Sequence, residues 1–221
     1  MCIRDSIGMG YVGLPLAVAF TGQGATVTGF DTNKKRLNEL QAGLDSGQEF
    51  TQQILSSTHI DYTDDTAALA ACDVFIVCVP TPLDAEGRPD LSDLEAACQT
   101  VGAALRPGAL VVYESTVFPG VTEDICIPIL ERRSGLRAGR DFMVAYSPER
   151  INPGDRQHCL STVTKVVAGH TPAALARASR LYGSIVEAGI YAAPTIRVAE
   201  ATKLCPLYTS DAADEGLGVD L

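Results

Sequence analysis

The chain has 221 residues, 46% of them hydrophobic, so it carries enough apolar material to bury a sizeable core. Its formal net charge of -10, from 17 Lys and Arg against 27 Asp and Glu, has the wrong sign for a surface that neutralises nucleic-acid phosphates. No apolar run approaches the roughly 20 residues of a membrane-spanning helix, and no segment resembling a signal peptide opens the chain. The 7 cysteines form no Cys-x-x-Cys pair, which favours reduced thiols. We therefore expect a cytoplasmic protein without nucleic-acid or membrane partners.

Both ends of the chain resemble translated sequencing adapter. Residues 1–6 back-translate to the end sequence of a transposase-based adapter. The reverse complement of that sequence encodes Cys-Leu-Leu-Tyr-Thr, which differs by one residue from Cys-Pro-Leu-Tyr-Thr at 205–209. We therefore expect 1–6 and 205–221 to be adapter-derived and exclude them from fold reasoning. The first strand of the fold falls on residues 1–6, so we expect it to be incomplete.

Short apolar runs alternate with helical patterns from residue 7 onward. A helix directly follows a glycine-rich turn at 8–13. Strands are predicted over 25–31, 74–79, 110–114, 142–146, 165–168 and 191–198, and helices over 34–42, 91–105, 122–133 and 173–186. This alternation predicts an α/β fold of the Rossmann type, with a doubly wound and mainly parallel sheet. We place this domain at 7–198 and the start of a further helix at 199–204.

The turn has the spacing Gly8-x-Gly10-x-x-Gly13, which is weak evidence alone because glycine is common. Its context strengthens it, since the glycines open an apolar helix and Asp31 ends the next strand 18 residues after Gly13, near the separation expected for an acid that binds a ribose hydroxyl. Gly8 permits a tight turn, Gly10 lets the backbone approach a pyrophosphate, and Gly13 allows close packing of helix on sheet. The acid favours NAD over NADP, while the nearby cations at 34–36 limit that preference.

Three further strands end in polar residues. Thr81 lies in Val-Pro-Thr-Pro at 79–82, and Thr116 lies in Glu-Ser-Thr-Val at 114–117. The segment 147–155, Ser-Pro-Glu-Arg-Ile-Asn-Pro-Gly-Asp, brings an acid, a base and an amide together. Because ligands bind at the carboxyl ends of strands in open α/β sheets, we expect these segments to converge on the dinucleotide crevice.

In order and spacing, these motifs resemble the nucleotide-sugar dehydrogenases of the UDP-glucose/UDP-mannose dehydrogenase superfamily. The resemblance covers 7–204, including Ala-Glu-Ala-Thr-Lys at 199–203, and is closest to the UDP-N-acetylhexosamine 6-dehydrogenases that make uronic acids for bacterial surface polysaccharides. It implies two hydride transfers from a sugar C6 alcohol to NAD, with a cysteine-bound intermediate. The helix at 199–204 would then be the start of a truncated central helix, through which such enzymes form homodimers.

The resemblance also implies roles for individual residues. NAD would be held by Gly8, Gly10, Tyr11, Val12, Gly13, Asp31, Arg36, Thr81 and Thr116. The catalytic residues would be Glu149, Lys203 and Thr116, and the UDP-sugar would contact Glu149, Arg150, Ile151 and Lys203. Of these, Glu149 would work in acid-base chemistry, and Lys203 would stabilise an oxyanion at C6. No His, Cys, Asp or Glu cluster has metal-binding spacing, so we expect no metal.

The chain departs from the family pattern at its end. Leu207 stands where the family has an Asn one helical turn after the lysine, and the nucleophilic cysteine and the UDP-binding domain lie beyond Leu221. We therefore expect a C-terminally truncated fragment that is inactive alone. The alternatives are a non-catalytic NAD-binding module, UDP-glucose 6-dehydrogenase proper, or a 6-phosphogluconate or hydroxyacid dehydrogenase on the same architecture.

Overall fold

A computed structural model of the chain describes residues 3–149, 160 and 162–203. Its strands are β1 Ile3–Ile7, β2 Thr26–Phe30, β3 Ile60–Thr63, β4 Val74–Val77, β5 Leu110–Tyr113, β6 Met143–Tyr146, β7 Lys165–Gly169 and β8 Ile190–Ala192. Its helices are α1 Gly13–Gly22, α2 Lys34–Gln41, α3 Gln52–Ser57, α4 Ser92–Ala104, α5 Ile127–Ser134, α6 Pro172–Gly183 and α7 at 196–203. A 3-10 turn at Thr66–Ala71 precedes β4, and a π-helical turn at Val121–Cys126 leads into α5.

The strands form one sheet in the order β3-β2-β1-β4-β5-β6-β7-β8. All neighbours are parallel except β6 and β7, which are antiparallel. From β1 the chain adds β2 and β3 on one side of the sheet. It then returns to place β4 on the other side of β1 and continues outward, so β1 is the switch point of a doubly wound sheet. The predicted Rossmann-type fold is confirmed.

Helices cover both faces of the sheet, and the strands alternate between the two layers. In β4, Val74 and Ile76 pack with α1 and α6, whereas Phe75 and Val77 pack with α4 and α5. All four residues are buried, as expected for a parallel strand covered on both faces. This double burial explains why β4 and β5 are continuous apolar runs in the sequence.

The expectation of an incomplete first strand was wrong. Residues Ile3–Ile7 form β1 and pair in register with both neighbours, Arg4 lying opposite Val27 of β2 and Val74 of β4. Main-chain N–H and C=O groups make the ladder, so a polar sequence can complete it.

The last predicted strand, 191–198, was also wrong, because β8 ends at Ala192 and α7 begins at 196 instead of 199. Pro194 lacks the N–H that a continuing strand needs. Thr195 then caps α7, since its Oγ1 accepts the N–H of Val198 at 3.2 Å.

Three elements had no sequence prediction: α3, the edge strand β3 and the 3-10 turn. In the part of the chain that the structure describes, no helix is long and apolar enough to cross a membrane.

Candidate active site

A cleft of about 830 Å³ opens at the carboxyl ends of β1, β2, β4, β5 and β6. It lies beside the switch point, which is where open α/β sheets bind ligands. Its walls are formed by the segments that follow these strands, one side of α4 and the end of α7: residues 7–12, 30–33, Arg36, 78–82, Asp93, Ala96, Ala97, Thr100, 114–116, Glu149 and Lys203.

The glycine-rich turn between β1 and α1 forms one wall. Gly8 has φ +94, and a Cβ there would lie 3.0 Å from the carbonyl oxygen of Cys78. A Cβ on Gly13 would lie 1.9 Å from the Gly8 oxygen, so α1 packs on the turn only because residue 13 has no side chain. Gly10 instead faces open space. Within the described residues no side chain caps α1, which leaves the positive end of its dipole facing the cleft, so these residues fit a pyrophosphate.

Asp31 and Arg36 clamp the middle of this turn. The Oδ2 of Asp31 accepts the N–H of Met9 at 2.7 Å, and its Oδ1 accepts the N–H of Asn33 at 2.8 Å. The Nε of Arg36 donates to the Met9 carbonyl at 2.8 Å. Both side chains line the cleft beyond the end of β2, the position from which an acid reaches a ribose hydroxyl.

The loops after β4 and β5 are bonded to each other. The hydroxyl of Thr81 donates to the carbonyl of Thr116 at 2.5 Å, and the hydroxyl of Ser115 donates to the carbonyl of Val79 at 2.6 Å. These two bonds hold the Pro-flanked loop against the Glu-Ser-Thr segment. They fix the floor of the cleft between the glycine-rich turn and the end of β6.

Glu149 and Lys203 meet on the opposite wall. Glu149 follows β6 and is buried, while Lys203 extends from α7. The Lys203 ammonium donates a hydrogen bond to the main-chain carbonyl of Glu149. On its other side, the Glu149 carboxylate lies 3.5 Å from the ammonium of Lys165, the first residue of β7.

A buried charged cluster lies beneath this wall. Lys165 donates to the Oε2 of Glu114 at 2.6 Å, and Tyr182 of α6 donates to the other Glu114 oxygen. The Lys165 ammonium also lies 5.1 Å from the centre of the Tyr182 ring, within range of a cation–π contact. Four groups from β5, β6, β7 and α6 therefore share one buried site, which opens to the cleft through Glu114 and Glu149.

Burial and the oppositely charged partner act in opposite directions on the pKa values of Glu114 and Lys165. Burial raises the pKa of Glu114 to about 7 against the opposing effect of Lys165, and Glu149 adds to the rise. Burial alone would lower the pKa of Lys165, but the Glu114 and Glu149 carboxylates outweigh it and hold that pKa above its usual value. Burial raises the pKa of Tyr182 well above its usual range, with Glu114 adding to the effect. Lys165 therefore stays an ammonium that serves both carboxylates.

Glu200 anchors α7 to the loop that carries Thr116. Its fully buried carboxylate accepts the N–H of Gly120 at 2.6 Å and of Thr122 at 2.9 Å. These donors belong to the start of the π-helical turn, so the acid caps that turn across 80 positions of sequence. Lys203, three residues further along α7, thereby reaches the cleft.

The structure gathers most of the residues predicted for the site into this cleft. Those that line it are Gly8, Gly10, Tyr11, Val12, Asp31, Arg36, Thr81, Thr116, Glu149 and Lys203. Gly13 lies behind the turn as a packing residue. Arg150 and Ile151 lie outside the described residues.

Sequence reasoning missed Glu114, Lys165, Tyr182 and Glu200 as parts of the site. One signal was available: Glu114 and Lys165 are charged residues at the ends of otherwise apolar strands, and charged residues are rarely buried without a partner. Nothing in the sequence says that these two residues, 51 positions apart, are each other's partners.

The cysteines behave as core thiols where the structure describes them. Cys72, Cys98 and Cys126 are buried, and Cys78 is half-buried. Cys78 was predicted inside a strand but follows β4 and lines the cleft. Burial raises the pKa of its thiol well above the usual value, which makes it a poor nucleophile. Among the described residues no group of three or more His, Cys, Asp or Glu is placed to hold a metal ion.

Fold and cleft together define the class of this protein: it is a dinucleotide-binding domain of the kind that dehydrogenases use. The family follows from comparison of sequences. Residues 4–186 match the model of the UDP-glucose/GDP-mannose dehydrogenase family, NAD binding domain, and the chain belongs to that family. The resemblance read from the motifs is confirmed, and so is NAD as the cofactor.

Individual proteins of this family show how similar the chain is to its relatives. Over 90% of its length the chain is 49% identical to Protein CapL of Staphylococcus aureus and 47% identical to UDP-N-acetyl-D-glucosamine 6-dehydrogenase of Pseudomonas aeruginosa. The solved structure of UDP-D-ManNAc dehydrogenase from Pyrococcus horikoshii superposes with a TM-score of 0.87 at 36% identity, covering 94% of this chain and 50% of that one. The chain spans about half the length of the curated relatives it matches, 46% of the first and 47% of the second.

Proposed function

We propose that this chain is the NAD-binding half of an enzyme that oxidises the C6 alcohol of a UDP-N-acetylhexosamine to the uronic acid, for surface polysaccharide precursors. The observation that carries the proposal is the meeting of Glu149 and Lys203 in the NAD cleft, although they are 54 residues apart. The printed names of the relatives support the sugar class, since they include dehydrogenases of UDP-N-acetyl-D-glucosamine and UDP-N-acetyl-D-mannosamine.

Alcohol oxidation removes a hydride from carbon and a proton from oxygen, and NAD supplies the hydride acceptor. The Glu149 carboxylate faces the cleft and is the group that accepts the proton, directly or through one water. The Lys203 ammonium stabilises the negative charge that develops on the C6 oxygen, and little water screens it at this half-buried position. Thr116, bonded through its carbonyl to Thr81, holds the reacting end of the cleft.

The proposal also covers the sugar pocket, the complete enzyme and the behaviour of the 221-residue chain alone. Arg150 and Ile151, directly after Glu149, would line the sugar pocket. The complete enzyme would be a cytoplasmic homodimer joined through the helix that α7 begins, with a UDP-binding domain after it. The 221-residue chain would bind NAD but produce no NADH from any UDP-sugar, because the missing part would supply both the UDP-binding domain that holds the sugar for the first oxidation and the nucleophilic cysteine of the second.

The test begins with the source DNA, read beyond the codon for Leu204 with primers outside the suspected adapter. The uninterrupted gene product is then assayed for NADH formation with UDP-GlcNAc, UDP-GalNAc, UDP-ManNAc and UDP-glucose. We expect two NADH per N-acetylated sugar oxidised. Turnover confined to UDP-glucose, or turnover by the 221-residue chain itself, would contradict the proposal.

Variants of the gene product test the roles. Glu149→Gln and Lys203→Met are each expected to lower kcat by about 100-fold or more, the usual cost of losing a general base or an oxyanion partner. Glu49→Gln and Lys35→Met make the same chemical changes at exposed positions outside the cleft and are the matched controls. Equal activity in the two pairs would remove Glu149 and Lys203 from the mechanism.

A further inference from the structure

Three cationic residues follow Asp31 closely enough to influence the choice between NAD and NADP: Lys34, Lys35 and Arg36. NADP differs from NAD by a 2′-phosphate on the adenosine ribose, and an arginine near the ribose-binding acid commonly accommodates that group. Of the three, Arg36 is the one that lines the cleft. Lys34 lies outside it, with its side chain 81% exposed and its ammonium 3.1 Å from Asp64. The choice of nucleotide therefore depends on what the Arg36 guanidinium is free to do.

Two nitrogens of the Arg36 guanidinium make hydrogen bonds or ion pairs with other residues. Nε donates to the Met9 carbonyl at 2.8 Å, which ties the guanidinium to the glycine-rich turn. One terminal nitrogen lies 2.8 Å from the Oδ1 of Asp45 and donates to the Ser46 hydroxyl at 3.3 Å. The side chain of Arg36 is 14% exposed and that of Asp45 is fully buried, so water screens their ion pair weakly.

Asp45 is itself held firmly by the loop after α2. Its Oδ1 accepts the N–H of Gly47 at 3.1 Å, and its Oδ2 accepts those of Glu49 and Phe50 at 2.9 and 3.1 Å. Burial alone would raise the pKa of this carboxyl, but the Arg36 guanidinium and the backbone N–H groups outweigh it and lower the pKa. Asp45 is therefore a fixed negative charge against Arg36 at neutral pH.

We propose that Asp45 is a specificity-determining residue of the nucleotide site: by pairing with Arg36 it withholds the guanidinium from a 2′-phosphate, so the cleft selects NAD. A free arginine binds phosphate through paired hydrogen bonds, whereas here Nε is committed to Met9 and one terminal nitrogen to Asp45 and Ser46, which leaves the second terminal nitrogen to make at most an unpaired contact. Asp31 on the ribose edge and Asp45 behind Arg36 both repel an incoming phosphate. The role of Arg36 in this site is then to stabilise the glycine-rich turn through its hydrogen bond to Met9.

The test is isothermal titration calorimetry of the 221-residue chain with NAD and with NADP. Asp45→Asn keeps the shape and an oxygen acceptor but removes the charge, and it is expected to lower the ratio of Kd for NADP to Kd for NAD by about tenfold. Asp84→Asn is the matched control, since Asp84 also accepts loop N–H groups and pairs with an arginine, Arg88, outside the cleft. The control is expected to leave the ratio unchanged.

A second variant makes the test independent of how well Asp45→Asn folds. Arg36→Gln is expected to weaken both nucleotides together and to change their Kd ratio by less than about twofold, because the guanidinium already serves Asp45. A selective loss of NADP affinity in Arg36→Gln would overturn the proposal. An unchanged ratio in folded Asp45→Asn would overturn it as well, and would make Asp45 a purely structural residue of its loop.

Discussion

Removal of the Lys165 ammonium is the sharpest perturbation of the buried charged cluster. Lys165→Met keeps the length of the side chain but leaves two carboxylates without their shared cation. The Lys165 side chain is 4% exposed, and those of Glu114 and Glu149 are 0% and 9% exposed, so water cannot replace it. Breaking a buried ion pair by removing one partner costs about 4 kcal/mol. For a domain of this size that loss lowers Tm by roughly 10 °C.

The assay is thermal and urea unfolding of the chain at neutral pH, followed by far-UV circular dichroism. Lys34→Met is the matched control, because the Lys34–Asp64 distance of 3.1 Å lies between the 2.6 Å and 3.5 Å of the two Lys165 pairs, but the Lys34 side chain is 81% exposed. We expect the control to stay within about 0.5 kcal/mol of the parent chain. The double variant Glu114→Gln, Lys165→Met should recover at least half of the lost stability, since it removes one unpaired charge.

The pH dependence gives the result that would refute this reasoning. Lys165 lowers the pKa of Glu114, so its loss moves that pKa above the value of about 7 found with Lys165 present. Below that pKa the folded state binds a proton that the unfolded chain, with a value near 4.5, does not bind. Above about pH 7 the variant binds this proton while the parent chain does not, so the penalty of Lys165→Met must shrink as the pH falls from about 9 to about 7. A penalty independent of pH, or equal to that of Lys34→Met, would show that the cluster does not stabilise the fold.

Two further predictions concern the same scaffold. Between pH 4.5 and about 7, Glu114 makes the free energy of unfolding fall as the pH rises, and Glu114→Gln should flatten that part of the urea-derived stability profile by up to about 1.4 kcal/mol per pH unit. Gly13→Ala, whose Cβ would lie 1.9 Å from a carbonyl oxygen, should abolish NAD binding in calorimetry, whereas Gly22→Ala on the same helix meets open space and should preserve it.

The sequence predicts best what depends on local pattern. β4 and β5 are apolar throughout because both of their faces are covered, and such runs are visible without any knowledge of their partners. The glycine spacing and Asp31 predict the nucleotide end of the cleft for the same reason, since a turn, a helix start and a strand end are all encoded nearby.

Pairings across the chain could not be predicted in this way. Glu114 and Lys165 each look like a strand-end charge that water would solvate, and only the neighbouring positions of β5, β6 and β7 in the sheet bring them into one buried site. The same holds for Asp45, which reads as an ordinary loop acid until the fold places it against Arg36. β3 was missed because it is a four-residue edge strand with a mixed burial pattern.

The position of Lys203 shows how such long-range contacts set the chemistry of the site. A lysine near a helix start is by default solvated, and nothing local to α7 directs it toward Glu149. Glu200 lies three residues earlier, so the two side chains share one face of the helix. Its buried carboxylate is held by two N–H groups of the segment after β5, which fixes α7 against the Thr116 loop. Because that contact sets the rotation of the helix, the Lys203 ammonium reaches the Glu149 carbonyl and completes the wall of the cleft.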